Sequence, residues 1–318
     1  MSTIAVTGGA GFVGTNLVRS LLSEKFKVIV IDDFSTGLRS NVEGLGCEVR
    51  EVSLLNEPEI QDALTGSDYI FHLAARGSVP RSIRNPRATH EVNTTGTMNV
   101  LEFARKHRTP LSFTSSSSVY GTNGQLPKNE KMWTSPMTPY AASKLAGEAL
   151  VHSYALSYDI TAVTYRFFNV FGPWQRPDHE YAAVIPKWIW KIMHNEKIQV
   201  YGDGEQSRDF TFVDDVVRIL LAGMKQNIYH PDPLNLAFGE RITLNELLNY
   251  MKERKPDLEV EYLPERSGDV KNSQNDPKEL KRVFPDVRPR GFRAALFQVW
   301  DWLENDSQKV LNGPQVSD

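Results

Sequence analysis

The stretch "AVTGGAGFVGTNLV", Ala5 to Val18, decides the fold. The apolar run "TIAVT" ends in glycines, and "GTNLVRSLLSEK" then repeats apolar residues at helical spacing. Gly8, Gly11 and Gly14 stand three apart in the turn between strand and helix. Gly8 permits a tight turn out of the strand. Gly11 lets a pyrophosphate approach the free N–H groups and positive dipole end of the helix, and Gly14 lets that helix lie close on the sheet. A glycine triplet by itself is an ordinary turn; the strand–loop–helix context gives it meaning. The next strand, "KVIVID", ends at Asp32, eighteen residues after Gly14. A carboxylate there accepts from both ribose hydroxyls of NAD and repels the extra phosphate of NADP, and no Arg or Lys directly follows it.

Outward from this turn, strand-like and helix-like segments alternate. "EVREVSL", "DYIFHLA", "PLSFTSS" and "ITAVTYRFF" read as strands, "HEVNTTGTMNVLEFARKH" and "TPYAASKLAGEALVHSYALSY" as helices. The pattern predicts an α/β fold: a Rossmann-type doubly wound parallel sheet over residues 1–168 that binds NAD. After Asn169 the chain turns rich in Pro, aromatic and charged residues, which predicts a smaller α/β substrate domain over 169–318. Segments near 208–238 are expected to return to the first domain, with helices near 214–226, 243–254 and 293–304.

The composition excludes several classes. Over 318 residues the formal net charge is −3, which gives no general pull toward nucleic acid or an anionic membrane. No apolar run reaches the ~18–20 residues that span a bilayer. Cys47 is the only cysteine, so no intrachain disulfide forms, and the seven His show no ligand spacing that would hold a metal. A cytoplasmic protein without a secretory signal is the expectation.

A second motif carries chemistry. "TPYAASKLAG" sets Tyr140 and Lys144 four apart, on one helix face, downstream of the strand end "FTSSSSVYG". A phenol titrates near ~10 and is a poor base at neutral pH. A neighbouring ammonium and an oxidised nicotinamide would stabilise the phenolate, which could then take a proton from a sugar or alcohol hydroxyl as hydride leaves the same carbon. A serine hydroxyl can relay that proton. The spacing alone is weak; its weight comes from lying beside a serine-rich strand end at the carboxyl edge of a dinucleotide sheet. The bland alternatives are an amphipathic helix with one exposed lysine and a solvated serine turn.

With these motifs stand "HLAA", "SVPRSIRNP", "RFFNVFGP", "YAAVIP", "GDGEQSRDFTFVDDV" and "RSGD", in order from Ile4 to about Leu303. Together they resemble the extended short-chain dehydrogenase/reductases, in particular the NAD-dependent nucleotide-sugar 4-epimerases. The resemblance implies Tyr140 as acid/base, Lys144 as its partner and holder of the nicotinamide ribose, and Ser116 as the catalytic serine. It places Gly8, Gly11, Phe12, Val13, Gly14, Asp32, Asp33, Ser53, Leu54, Leu73, Ala74, Ala75 and Asn93 at the cofactor. Around a UDP-sugar it places Ser78, Ser118, Asn169, Arg176, Ala183, Val184, Tyr201, Arg208, Arg266 and Ser273. Arg208 and Arg266 would neutralise the diphosphate, although acids close by in "SRD" and "ERSGD" equally suit surface ion pairs. The implied reaction is reversible oxidation at carbon 4, with hydride returned to the opposite face of the turned sugar. The resemblance also implies a homodimer through the helices near 93–106 and 140–157.

The departures matter. Related dehydratases carry an Asp–Glu pair where this chain has Ser117 and Ser118, and UDP-glucuronate decarboxylases commonly carry Glu at the position of Ser118. A small Ser273 leaves room for an N-acetyl group. Arg176 stands where glucuronate epimerases hold an arginine, yet Asn169 stands where those enzymes carry Thr. Ser53 replaces an Asp that in relatives contacts adenine. UDP-glucose/UDP-galactose is the favoured pair, before the N-acetyl and glucuronate forms. A non-catalytic NAD-binding sensor on this fold would have lost Tyr140 or Lys144, and both are present.

Overall fold

The computed structural model describes residues 1–178, 182–265 and 271–311, with the side chains at 309 and 310 left aside. Among the described residues the main sheet has seven parallel strands in the order β11-β6-β5-β4-β1-β2-β3. These are β1 Thr3–Thr7, β2 Lys27–Asp32, β3 Glu48–Glu51, β4 Tyr69–His72, β5 Leu111–Ser116, β6 Ala162–Phe167 and, after four short strands of the small lobe, β11 Leu234–Leu236. The period-2 alternation divides the strand residues between two cores. Ile4, Val6, Val28, Val30, Tyr69, Phe71, Val163 and Tyr165 face one; Ala5, Ile29, Ile31, Ile70, Leu111, Phe113 and Ala162 face the other. Both faces are covered, as parallel sheets require.

The helices in chain order are α1 Phe12–Ser23, α2 Glu57–Leu64, α3 Val79–Arg84, α4 Pro86–His90, α5 Gly96–His107, α6 Pro139–Tyr158, α7 Val184–Met193, α8 Val213–Lys225, α9 Leu244–Lys252, α10 Lys278–Val283, α11 Phe292–Asp306 and α12 Gln308–Leu311. Residues of α1, α8 and α10 fill the first core, and those of α2, α5 and α6 fill the second. Strand order reverses between β1 and β4, the place where open α/β sheets bind ligands beyond the carboxyl ends of their strands.

The small lobe gathers β7 Val170–Phe171, β8 Ile198–Tyr201, β9 Ser207–Asp209, β10 Thr211–Phe212, β12 Arg241–Thr243 and β13 Val260–Leu263 into three two-stranded pairs. Its own core is aromatic, with Phe171, Trp188, Phe210, Phe212, Phe292 and Trp300 buried together. The chain returns to the main sheet through α8 and β11: Val213 still packs in the small-lobe core, Val216 and the residues after it fill the first core, and Arg208 pairs with Ile242 inside the small lobe. No helix among the described residues is long and apolar enough to cross a membrane.

Candidate active site

The carboxyl edge of the sheet is where apolar strands turn polar. Thr7, Asp32 and His72 end their strands buried, and Thr114 and Ser115 lie buried just before the end of β5. Each needs a partner, because an unsatisfied polar group there costs about 1–3 kcal/mol. His72 is held between the hydroxyls of Thr7, 2.7 Å from Nδ1, and Thr97, 2.9 Å from Nε2. Burial and the nearby Lys144 push its imidazole down to about 3, so it stays neutral.

The glycine loop has the close geometry its spacing predicts. Gly8 takes φ +71°, and a Cβ on it would lie 2.7 Å from the Ala74 backbone. A Cβ on Gly14 would lie 2.1 Å from the Gly8 carbonyl oxygen. Asp32 Oδ2 accepts from Ala10 N at 3.0 Å, and Oδ1 accepts from Phe34 N at 2.9 Å. The carboxylate thus fixes the loop while its remaining lone pairs face the cleft. Burial raises its affinity for a proton, and the two backbone donors oppose that. Gly8, Gly11, Asp32, Asp33, Ser53, Leu54, Leu73, Ala74 and Ala75 line one cleft together. A bare backbone turn, a carboxylate one strand over and an apolar slot beyond it fit the pyrophosphate, ribose and adenine of a dinucleotide. Phe12 and Val13, the first residues of α1, do not line this cleft but anchor it, packing into the small-lobe core.

Asn93 lies in a π-helical turn, Glu91–Thr95, that leads into α5. Its Oδ1 accepts from Arg76 N at 2.7 Å, while Nδ2 donates to Arg76 O at 3.3 Å and to Ser143 Oγ at 2.9 Å. Ser143 Oγ in turn donates to the Tyr140 carbonyl at 2.8 Å. One amide therefore ties the loop after Ala75 to the first turn of α6.

That first turn is well specified. Thr138 caps it by accepting from Ala141 N at 3.2 Å, and Pro139 occupies the first helical position. Gly147 lets the helix lie against β5, since a Cβ there would be 2.5 Å from the Phe113 ring. The face toward the sheet carries Lys144, Gly147 and Glu148, all buried. Lys144 Nζ donates to Thr114 O at 2.8 Å and stands 5.2 Å from the centre of the Phe113 ring. Burial brings its ammonium down to about 8, against the pull of Glu148. The half-buried Tyr140 hydrogen-bonds Ser116, whose Oγ also accepts from Ser118 N at 3.2 Å and lies 2.9 Å from Ser118 Oγ. The sequence led us to expect a phenol lowered by Lys144; in the polypeptide alone, burial raises it, and only the Ser116 hydrogen bond opposes.

The remaining predicted residues fall into two groups. Gly11, Phe12, Ser78, Arg176 and Ala183 line a second cleft, about 300 Å³, beside the glycine loop. Ser78 caps α3 at φ +119°, and Ala183 precedes Val184 at the start of α7. Arg176 makes a fork with Asp178, Nε to Oδ1 at 3.0 Å and Nη2 to Oδ2 at 2.9 Å. In the other group, Asn169 at φ +33° donates to Asp209 O at 3.1 Å, Arg208 Nη1 donates to Ser207 O at 2.9 Å, and Ser273 N donates to the same carbonyl at 3.0 Å. Tyr201 ends β8 and accepts at its carbonyl from Gln206. Arg266 lies outside the described residues.

Several residues went unread in the sequence. Arg81 and Trp174 line the second cleft. Asp178 was visible two residues from Arg176, and Glu148 four residues after Lys144, but neither was read as a partner. Asp209 is fully buried; its Oδ2 accepts from Gly239 N and Asn275 N at 3.1 and 2.9 Å, and its Oδ1 has no hydrogen-bond partner among the described residues. Nothing in its spacing announces that burial. No group of three or more His, Cys, Asp or Glu among the described residues could hold a metal ion.

Comparison with known proteins meets this geometry. Residues 4–237 match the model of the NAD dependent epimerase/dehydratase family. A putative UDP-glucose 4-epimerase of Methanocaldococcus jannaschii is 31% identical over 96% of this chain and 99% of its own. UDP-glucuronic acid decarboxylase 1 of Danio rerio is 33% identical over 94% of this chain and 68% of its own. The structure of a UDP-N-acetylglucosamine 4-epimerase from Methanobrevibacter ruminantium, in complex with UDP-N-acetylmuramic acid, superposes with a TM-score of 0.90 at 33% identity, covering 96% of this chain and 99% of that one. Glycines at 8 and 14 that leave no room for a Cβ, a buried aspartate at the end of the next strand and a Tyr140–Lys144–Ser116 cluster on a seven-stranded parallel sheet thus belong to an enzyme fold with NAD as its cofactor: the chain is a member of the NAD dependent epimerase/dehydratase family.

Proposed function

We propose that the protein epimerises a UDP-sugar at carbon 4, with UDP-glucose and UDP-galactose as the favoured pair, through a transient 4-keto sugar. The observation that carries this is the Ser116–Tyr140 hydroxyl pair beside the buried Lys144, two strands from the glycine cradle. When bound, NAD supplies reversible hydride acceptance and, in its oxidised form, a positive charge. Gly8, Gly11 and Gly14 would receive its pyrophosphate, Asp32 its adenosine ribose and Lys144 its nicotinamide ribose. Tyr140 takes the proton of the C4 hydroxyl, with Ser116 orienting that hydroxyl, and returns a proton once the sugar has turned over. Its phenol, raised by burial, needs cationic neighbours to ionise near neutral pH. Asn169, Arg208, Tyr201 and Arg266 would anchor the nucleotide while the sugar turns, with Ser78, Ser118, Ala183, Val184 and Ser273 around it.

Two observations support epimerisation of a neutral hexose. Ser117 and Ser118 provide no carboxyl group for dehydration, and the Ser118 hydroxyl is engaged with Ser116. The Arg176 fork lies on Asp178, which competes with a sugar carboxylate for the same two N–H groups. The second reading is UDP-N-acetylglucosamine, supported by the small Ser273. We also infer a homodimer through α5 and α6, whose outward Met98, Leu156 and Tyr158 are exposed. The test is a panel of UDP-glucose, UDP-N-acetylglucosamine and UDP-glucuronate with products resolved by stereochemistry, for wild type and Tyr140→Phe. C4-inverted product from UDP-glucose, lost in the variant, is expected. Silence toward all three, or indifference to the variant, would refute the proposal; light scattering showing only monomer at micromolar concentration would refute the dimer.

A further inference from the structure

Tyr140, Lys144 and Glu148 follow one another at intervals of four on α6 and therefore share a face. Glu148 is buried there against Arg166 of β6, each side chain 5% exposed. The pairing is a two-pronged fork: Arg166 Nε to Glu148 Oε1 at 2.9 Å and Nη2 to Oε2 at 2.7 Å. Ser115, next to Ser116, donates its hydroxyl to Glu148 Oε1. The remaining Arg166 nitrogen, Nη1, donates to Tyr120 Oη at 2.9 Å, and Tyr120 donates onward to Asn235 Oδ1 at 2.7 Å. The carboxylate is thereby fixed from β5 and β6 at one turn's distance from Lys144.

We propose that Glu148, fixed by Arg166 and Ser115, is a positioning residue whose carboxylate balances the buried Lys144 ammonium beside Tyr140. This rests on the catalytic reading given above. The groups that face Lys144 leave the role to Glu148. Tyr140 on the same helix and His72 on β4 are neutral, the latter firmly so. Thr114 offers a carbonyl and Phe113 a ring face from β5. Arg166 on β6 is cationic and spends its charge on Glu148. Glu148 alone raises Lys144 against desolvation. A purely structural bridge between α6 and β6 would hold the helix equally well but leave the lysine's titration unmoved.

The test compares wild type, Glu148→Gln, Glu148→Gln/Arg166→Met and Tyr120→Phe, each as the NAD-loaded full chain. The double variant removes the unpaired arginine that the single variant would leave buried. The first readout is the ¹⁵N shift of Lys144 Nζ against pH in lysine-labelled protein, which needs no turnover. The Nζ midpoint should fall by about one pH unit or more in Glu148→Gln, fall less in the double variant, which also removes the arginine's positive charge, and stay in place in Tyr120→Phe, which alters a hydrogen bond and no charge. The second readout is the alkaline limb of kcat with UDP-glucose, which should move down by the same interval. An unmoved midpoint in a folded Glu148 variant would overturn the proposal, as would a midpoint in Tyr120→Phe that falls equally. Failure of both Glu148 variants to fold would assign the pair to stability alone and also overturn it. A wild type without turnover refutes the catalytic reading, while the Nζ titration still decides the role of Glu148.

Discussion

Replacing Gly14 with alanine tests the cradle most directly. The added methyl carbon would lie 2.1 Å from the Gly8 carbonyl oxygen, 2.7 Å from Gly9 Cα and 2.9 Å from the Gly9 carbonyl carbon. Ordinary van der Waals contact begins near 3.4 Å. All three opposing atoms are backbone, so no side chain can swing aside. The start of α1 must move off the loop by about 1 Å, and overpacking of this kind costs about 1–3 kcal/mol. For a chain of this size that corresponds to a Tm lower by roughly 1.5–4.5 °C. The same movement draws the helix N–H groups away from the pyrophosphate, so NAD affinity should fall at least about tenfold. Differential scanning calorimetry without NAD and titration of released cofactor measure the two effects separately. Gly124→Ala is the control, because a Cβ there meets nothing within 4 Å; it should change neither quantity measurably. A Gly14→Ala protein that kept the wild-type Tm and NAD affinity would refute the close-approach reasoning.

Three further outcomes follow. Asp178→Asn weakens the fork on Arg176 and should raise affinity for UDP-glucuronate relative to UDP-glucose by about tenfold, measured by competition for the enzyme; an unchanged ratio would remove Arg176 from the sugar. Asn93→Ala breaks the tie between the 76 loop and α6 and should cost about 2 kcal/mol in denaturant unfolding together with a fall in kcat, whereas full stability would show the amide to be dispensable. Burial raises the Asp209 carboxyl to about 7, so the folded protein binds more protons than the unfolded chain between about pH 4 and 7. Stability on this group's account should therefore fall as pH rises through that window, and Asp209→Asn should flatten the slope; an unaltered slope would show that Asp209 is charged throughout.

The sequence made the main sheet legible because its strands are short, β-branched and punctuated by glycine, and because Gly8 to Asp32 forms a local signature. Tyr140, Lys144 and the serines were readable for the same reason: one helix and one strand end carry them. What escaped notice depends on partners distant in the chain. Arg166 is eighteen residues from Glu148, and Asp209 meets Gly239 and Asn275 across thirty and sixty-six residues. The direction of the Tyr140 shift escaped too, since the spacing to Lys144 says nothing of how deeply the phenol is buried.

Phe12 and Val13 stand directly after Gly11 and pack into the aromatic core of the small lobe, while Val13 also touches the core beneath the sheet. The turn that would receive the cofactor's charge is thus also the pin on which the two lobes meet. A shift of one lobe against the other would therefore be felt at this turn, and a change at the turn would be felt at the seam between the lobes.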